Sequence, residues 1–477
     1  LVLNHAARVL ESIAADLPAD AALRRHFQFA RRLRSGEKRA ISRVVFAYFR
    51  WREWLDPRES WQRQVAGAAE LQERFEKDER SVKVEALAAR AVPTWLRAEL
   101  DLPAEYVRQL QRQPALWLRA RPGTAPALAQ ELGHCTPDTR AEGIALPVAP
   151  DALRFKGTQD LFLTPAFHRG AFEIQDLASQ LVGLACAPQP GQTWWDACAG
   201  EGGKLLHLAD QMANKGLVWA SDRSERRIMV LRRRAARAQL FNFRTAAWDG
   251  SARLPTKTKF DGVLLDAPCS GVGTWQRNPH ARWTTTPQDV AELAATQAAM
   301  LANAAKAVKP GGRLIYAVCT LTRSETHAIA DGFEAAHSEF KPEPVLSSGP
   351  YTRAAHELGL WVSERTLIER FFPDHTAPLL EAGCGAGRVT LGLWQLGYRN
   401  LTAFDFAREL VDQAQSLADE RAASDLRLRH GDATRLLDDA AACHRPDANP
   451  GPRPTSPRPR RARRLMHAGL AVAIHHA

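Results

Sequence analysis

Two short runs place thiols and acids together: Asp266 and Cys269 in D-A-P-C-S-G, and Cys319 in Y-A-V-C-T-L-T-R-S-E-T. A thiol nucleophile, an acid and a second thiol would suit methylation of carbon 5 of a cytosine. That carbon is a poor nucleophile until a thiolate adds to carbon 6 and makes the ring enamine-like. The scheme then needs an acid at ring N3 and the amino group, and a group to remove the carbon 5 proton before the thiolate leaves. Cys319, Cys269 and Asp266 can supply these parts. Residue type alone leaves open which thiol attacks, because a Pro-Cys nucleophile at Cys269 would suit a DNA enzyme. Taken singly, either cysteine is better read as a small buried hydrophobe.

A third run, D-A-C-A-G-E-G-G-K, contains Cys198, Ala199, Gly200, Glu201, Gly202, Gly203 and Lys204. Its glycines let a backbone approach a ligand closely at a helix start. Asp222 in W-A-S-D could hold two ribose hydroxyls, and Asp249 in A-A-W-D-G could accept from an adenine amino group. Three acids at successive strand ends suit a ligand with adenosine and no pyrophosphate. Each Asp taken alone reads as a helix cap or turn former.

These residues need a scaffold that gathers strand ends. From T-W-W-D-A-C to Y-A-V-C-T, apolar strand-like runs alternate with helical ones, which predicts an α/β fold with a doubly wound, mostly parallel sheet. Ligands on such sheets sit beyond the carboxyl ends of the strands, where Cys198, Asp222, Asp249, Asp266, Cys269 and Cys319 all fall. Upstream, apolar residues at helical spacing predict a bundle over 1–60, with 61–92 a polar connecting stretch or helix. P-A-L-W-L-R-A-R-P-G, L-P-V-A-P-D-A-L-R-F-K-G and L-F-L-T-P-A-F read as strand-like pieces. The segment 93–154 is accordingly a small α+β unit, and 155–345 the catalytic domain.

The run from about Phe155 to Thr326 resembles the catalytic domain of the Sun/Fmu (RsmB-like) family of RNA cytosine-C5 methyltransferases. The matching pieces are E-I-Q-D-L-A-S-Q-L, D-A-C-A-G-E-G-G-K, D-A-P-C-S-G-V-G with R-N-P and R-W after it, K-P-G-G-R-L-I-Y and V-C-T. The resemblance implies a class I, Rossmann-like methyltransferase fold with S-adenosyl-L-methionine as cofactor, bound by residues 198–204, Asp222, Asp249 and Asp266. It implies Cys319 as the nucleophile and Cys269 as the residue that assists release. The substrate it implies is RNA, small-subunit ribosomal RNA above all. The opening helices are similar to the family's NusB-like RNA-binding domain. V-C-T stands in place of the more usual T-C-S.

The family's last strand carries a D-G-D-G-F-F-like run, and no such run follows F-K-P-E-P-V. Instead the chain begins again: L-L-E-A-G-C-G-A-G-R repeats the glycine turn, with Glu381, Gly383, Gly385 and Gly387. Asp405 and Asp432 stand 27 residues apart, as Asp222 and Asp249 do. The segment 351–440 thus resembles half of a second class I methyltransferase, and 441–477 reads as a Pro/Arg-rich disordered tail. The catalytic sheet is expected to lack its closing strand, and 351–477 to be dispensable. An inert relic or fusion product is the competing reading.

The formal charge of +11 suits a polyanionic partner, but seven Arg against one Asp between His444 and Arg464 place +6 of it there. The seven cysteines form no C-x-x-C pair, so neither a metal site nor a disulfide framework is expected. No apolar run is long enough to span a membrane and the opening run has no secretory signal pattern, so a cytoplasmic monomer is expected.

Overall fold

The computed structural model describes residues 1–14, 16–137, 149–343, 368, 372–377, 379–382, 384, 387–405, 408–430 and 471–476. The chain divides into two compact units, Leu1–Glu343 with Arg464–Ala477, and Pro344–Arg463.

The first unit opens with helices α1 (Val2–Glu11), α2 (Ala19–Phe29), α3 (Ser35–Trp51) and α4 (Trp61–Lys77). Helix α3 starts where the Arg34 N–H donates to the Glu37 carboxylate at 2.7 Å, satisfying a donor that the helix leaves open. Its Ile41, Val45 and Phe49, four apart, fall on one face and pack with Val9 and Leu10 of α1 and Val65 of α4. Such fully buried side chains contribute roughly 1.5–3 kcal/mol each. Residues 61–77, in the stretch expected to be a polar linker or helix, are therefore a helix of the bundle.

A four-stranded antiparallel sheet follows, made of β1 (Leu116–Ala120), β2 (Cys135–Pro137), β3 (Ala152–Phe155) and β4 (Phe172–Ile174) in the order β2-β3-β1-β4. It extends past the expected boundary at 154, because Leu118 of β1 pairs with Ile174. The run L-F-L-T-P-A-F is not a strand. Leu161–Leu163 is a 3-10 turn and Pro165–His168 a helical turn, because the Thr164 hydroxyl caps the Phe167 N–H ahead of Pro165.

The central sheet contains β5 (Thr193–Asp196), β6 (Leu217–Asp222), β7 (Phe243–Ala247), β8 (Phe260–Asp266), β9 (Val308–Val318) and β10 (Lys341–Glu343). β5 to β9 pair parallel throughout, as the alternating pattern predicts. Trp195, Phe260, Leu265, Leu314 and Tyr316 form much of the core beneath them. Gly262 is required by packing, since a Cβ there would lie 2.3 Å from the Trp194 indole.

The second unit has a three-stranded parallel sheet in the order β11-β12-β13, from β11 (Leu379–Ala382), β12 (Leu401–Asp405) and β13 (Arg427–His430). The expected glycine turn is only partly described. Glu381 accepts from Thr390 Oγ1 at 2.7 Å and Gly387 has φ +87°, while Gly383, Gly385, Asp432 and Cys443 lie outside the described residues.

One expectation is overturned. A last strand, β14 (Ala471–His476), enters the central sheet between β9 and β10, antiparallel to both. The full order is β10-β14-β9-β8-β5-β6-β7. The tail was read by the Pro and Arg that dominate it, whereas G-L-A-V-A-I-H-H is a short apolar run of strand length. Six residues of β14 pair with β9, so β9 has a neighbour on that side and removing 351–477 as a block would take a strand out of this sheet.

The helical half is fastened to the catalytic half by a buried guanidinium. Arg282 donates to the Trp275 carbonyl at 3.2 Å, to Gln111 Oε1 at 3.0 Å, to the Ala91 carbonyl at 3.3 Å and to the Leu110 carbonyl. Trp283 Nε1 donates to the Phe49 carbonyl at 2.7 Å. No helix among the described residues is long and apolar enough to cross a membrane.

A chain ending at residue 470 loses β14 and leaves the facing edges of β9 and β10 unpaired. Calorimetry is expected to show a melting temperature lower by at least ~5 °C, with aggregation on heating. An unchanged melting temperature would mean that β14 contributes nothing to the sheet.

Candidate active site

The site begins where β5 ends. Asp196 leads into the loop Ala197–Gly202, and the helix Gly203–Gln211 leaves from it. Gly200 (φ +54°) and Gly202 (φ +88°) both adopt the left-handed region, and a Cβ on Gly202 would press to 2.8 Å of Leu231. The loop is held from the neighbouring strand end. Asp222 accepts from the Gly200 N–H at 3.1 Å and the Ser224 N–H at 2.7 Å, and the Ala199 N–H donates to the Ser221 carbonyl at 2.8 Å. Cys198 lines this loop as a neutral thiol, because burial pushes its pKa up. Glu201 points to solvent.

Lys204 lies in the first helical turn, and its Nζ reaches the Asp266 carboxylate at the end of β8, 2.6 Å away. Burial works against the ammonium, but Asp266, with Asp196 behind it, outweighs that penalty and raises the lysine pKa. A cation therefore acts on the Cys319 thiol.

The register of β8 with β9 brings those thiols together. Asp266 pairs with Ala317, so the turns that follow carry Cys269 and Cys319 to one place, with their Sγ atoms 3.3 Å apart. The hydrogen bond from Cys269, helped by Lys204 and Arg277, lowers the Cys319 pKa against burial and the Asp266 charge. Cys269 moves the other way, chiefly because it donates to Cys319, then through burial and the charge of Glu325. Either sulfur can donate to the other, and the cations Lys204 and Arg277 favour charge on Cys319.

Of the residues singled out from sequence, Cys198 to Lys204, Asp222, Asp266, Cys269 and Cys319 meet at this edge. Asp249 does not join them. It is exposed two residues past β7, where its carboxylate accepts from the Ser251 N–H at 3.0 Å and closes its own turn. Two residues were missed. Asp196 is fully buried and its carboxylate finds no side-chain partner among the described residues; burial and the nearby Asp266 raise its pKa to about 7, against the backbone N–H of Cys198. Its signal was available, as an acid ending β5 just as Asp222 ends β6. Glu325, also fully buried, lies within the run that holds Cys319. No cluster among the described residues could hold a metal ion.

A buried carboxyl without a side-chain partner, a glycine loop with open space at Gly200 and a second acid at the next strand end form a cradle. It fits a ligand carrying ammonium and hydroxyl donors, as S-adenosylmethionine does. The crevice lies between β5 and β8, where the strand order reverses.

Residues 183–376 match the family model described as 16S rRNA methyltransferase RsmB/F, and residues 379–444 match one described as a methyltransferase domain. The chain is 34% identical over 264 residues to the probable ribosomal RNA small subunit methyltransferase B of Synechocystis sp., covering 54% of this chain and 57% of that protein. It is 38% identical over 199 residues to ribosomal RNA small subunit methyltransferase B of Thermus thermophilus, covering 42% and 48%. The chain thus spans about half the length of these curated relatives. The solved structure of PH0851 shares the fold, with a TM-score of 0.59 at 23% identity over 73% of this chain and 91% of that one.

Replacing Lys204 by Met removes the cation beside Cys319 and leaves Asp266 facing the thiol alone. As pH rises, Cys319 should be alkylated by iodoacetamide before Cys269 in the parent protein. In Lys204→Met the Cys319 profile should move to higher pH, and its reactivity at neutral pH should fall several-fold. Mass spectrometry of the labelled peptides reads both, and an unmoved Cys319 profile would remove Lys204 from the site.

Proposed function

Residues 183–376 belong to the RsmB/F methyltransferase family, and from there we propose that the protein transfers a methyl group from S-adenosylmethionine to carbon 5 of a cytosine in RNA. Small-subunit ribosomal RNA is the substrate class, which the names of the curated relatives support. The observation that carries the reading is the pair of sulfurs 3.3 Å apart at the ends of β8 and β9, with the Lys204–Asp266 ion pair at the same strand ends.

The residue roles follow from that electrostatic order. Cys319, the sulfur favoured as thiolate, bonds to carbon 6, and the electron pair of the ring double bond moves to carbon 5. Ring N3 takes a proton from water as carbon 5 gains the electron pair, and Asp266, fixed by Lys204, accepts a hydrogen bond from that N3–H; the proton returns to water when the ring is restored. S-adenosylmethionine supplies an electrophilic methyl group bonded to a sulfonium. Asp222, the Gly200–Gly203 turn and Asp196 would hold it. The two sulfurs then exchange character. Once Cys319 is bonded to carbon it carries no charge, so the main reason for Cys269 to keep its proton is gone. Cys269 can release that proton to water and take the one on carbon 5. The carbon–hydrogen pair restores the ring double bond, the carbon–sulfur bond breaks, and Cys319 leaves as thiolate.

An inert relic with an open sheet is the competing reading. The presence of β14 in the closing position counts against it.

Asp222→Ala removes the acceptor that ties the loop to the strand end and a partner for the ribose hydroxyls. Charge-assisted hydrogen bonds are worth roughly 1.5–3 kcal/mol, so calorimetric affinity for S-adenosylmethionine should fall at least ~10-fold. Unchanged affinity would sink the assignment.

The two thiols are separated by a denaturing gel with labelled RNA. Cys319→Ala should abolish methyl transfer and any protein–RNA adduct. Cys269→Ala should still attack and methylate but hinder release, so the adduct accumulates. Adduct in Cys319→Ala and none in Cys269→Ala would reverse the roles. RNA and DNA oligonucleotides containing 5-fluorocytosine, compared side by side, test the substrate class.

A further inference from the structure

Glu325 is fully buried, yet it makes no ion pair among the described residues. Its charge is met by neutral donors. Oε1 accepts from the Ser270 N–H at 2.8 Å and from Gln297 Nε2 at 2.9 Å; Oε2 accepts from Thr322 Oγ1 at 2.7 Å and from the Ser270 hydroxyl. A buried carboxylate with four donors is satisfied, whereas one left short of partners costs several kcal/mol.

The donors are neighbours of the two sulfurs. Ser270 follows Cys269 directly, and its hydroxyl is also 2.8 Å from Thr320 Oγ1, which follows Cys319. Thr322 lies three residues past Cys319. The carboxylate thus bridges the turn after β8 and the turn after β9. Gln297, on the helix Pro287–Ala305, braces the bridge by donating to the Pro268 carbonyl at 2.8 Å. Tyr316 of β9 closes the network, its hydroxyl 2.8 Å from both Gln297 Oε1 and the Glu325 carbonyl.

We propose that Glu325 is a positioning residue for the two-thiol step: its carboxylate staples the Ser270 turn to the Thr322 turn, fixing the separation of the sulfurs and placing negative charge beside Cys269. This role rests on the covalent mechanism above. The groups facing the sulfurs are few: Cys319 is faced by Cys269, Asp266, Lys204 and Arg277, and Cys269 by Cys319 and Glu325. Glu325 is the charge that acts on Cys269 and not, in the main, on Cys319. A staple of this kind keeps the thiol that acts second protonated while the first attacks.

Glu325→Gln is the discriminating variant, because the amide fills the same space and the Ser270 and Thr322 hydroxyls can rotate to accept from it. The pH profile of iodoacetamide labelling is followed at each cysteine by mass spectrometry, with kcat and KM on RNA. Glu325→Gln is expected to bring the Cys269 profile to lower pH, narrowing its gap to Cys319. It should lower kcat about tenfold, leave KM for RNA within twofold, and give no protein–RNA adduct above the parent level, because attack by Cys319 is the step that suffers. Glu325→Asp, which keeps the charge, should restore the gap in part. Should Glu325→Gln fail to fold, Ser270→Ala tests the same staple by removing one hydroxyl and should move both readouts the same way. Parent-like labelling and kcat in Glu325→Gln, or in Ser270→Ala as its substitute, would overturn the proposal. If the labelling gap closes but the parent protein methylates no RNA, the staple stands and the function assigned above falls.

Discussion

The chemistry of this molecule depends on one register, that of β8 against β9. Asp266 sits opposite Ala317, and the Ala267 N–H donates to the Ala317 carbonyl at 2.9 Å as the two strands part. Because both strands run the same way, both turns leave the sheet on one edge, and residues 50 positions apart in sequence arrive with their sulfurs in contact. A slip of one residue would turn each side chain of a strand to the opposite face and take Asp266 away from Lys204. Apolar side chains that fill the interior from both strands, Leu265 and Tyr316 among them, make such a slip costly.

Electrostatics in the site follows from that placement. Asp196, Asp222 and Asp266 end three strands and crowd negative charge on one edge, which alone would disfavour a thiolate there. The sulfur–sulfur hydrogen bond changes the balance for Cys319, and the buried Lys204 with Arg277 adds to it. Glu325 acts on the other side of the pair and has no cation of its own. The two cysteines therefore differ in character because of what each faces, although their residue type is the same.

Much of this was legible from residue order. Alternating strand and helix patterns from Thr193 to Val318 predicted the parallel sheet, and a parallel sheet gathers its strand ends. Cys198, Asp222, Asp266, Cys269 and Cys319 could therefore be placed together. Asp249 shows the limit of such reading, because a strand-end acid that meets a ligand and one that caps its own turn look alike in one dimension. Glu325 was passed over because its partners come from the helix Pro287–Ala305 and the Ser270 turn, which no local pattern connects to it. The boundary at 154 failed for a related reason. β4 is three residues long, and its membership in the small sheet is decided by pairing with β1.

β14 also bears on how the molecule is made. Its partner β9 is synthesised long before it, and the whole Pro344–Arg463 unit emerges in between. During synthesis, the edge of β9 stays open while another parallel sheet forms on the same chain, a setting in which unpaired strand edges invite wrong partners. Pairing across so long a stretch also makes closure a late, slow event. The amino-terminal helices and the strands β5 to β8 can be in place while the catalytic sheet still lacks one neighbour. The maturation of this domain is thus timed by the completion of a segment that takes no part in its chemistry.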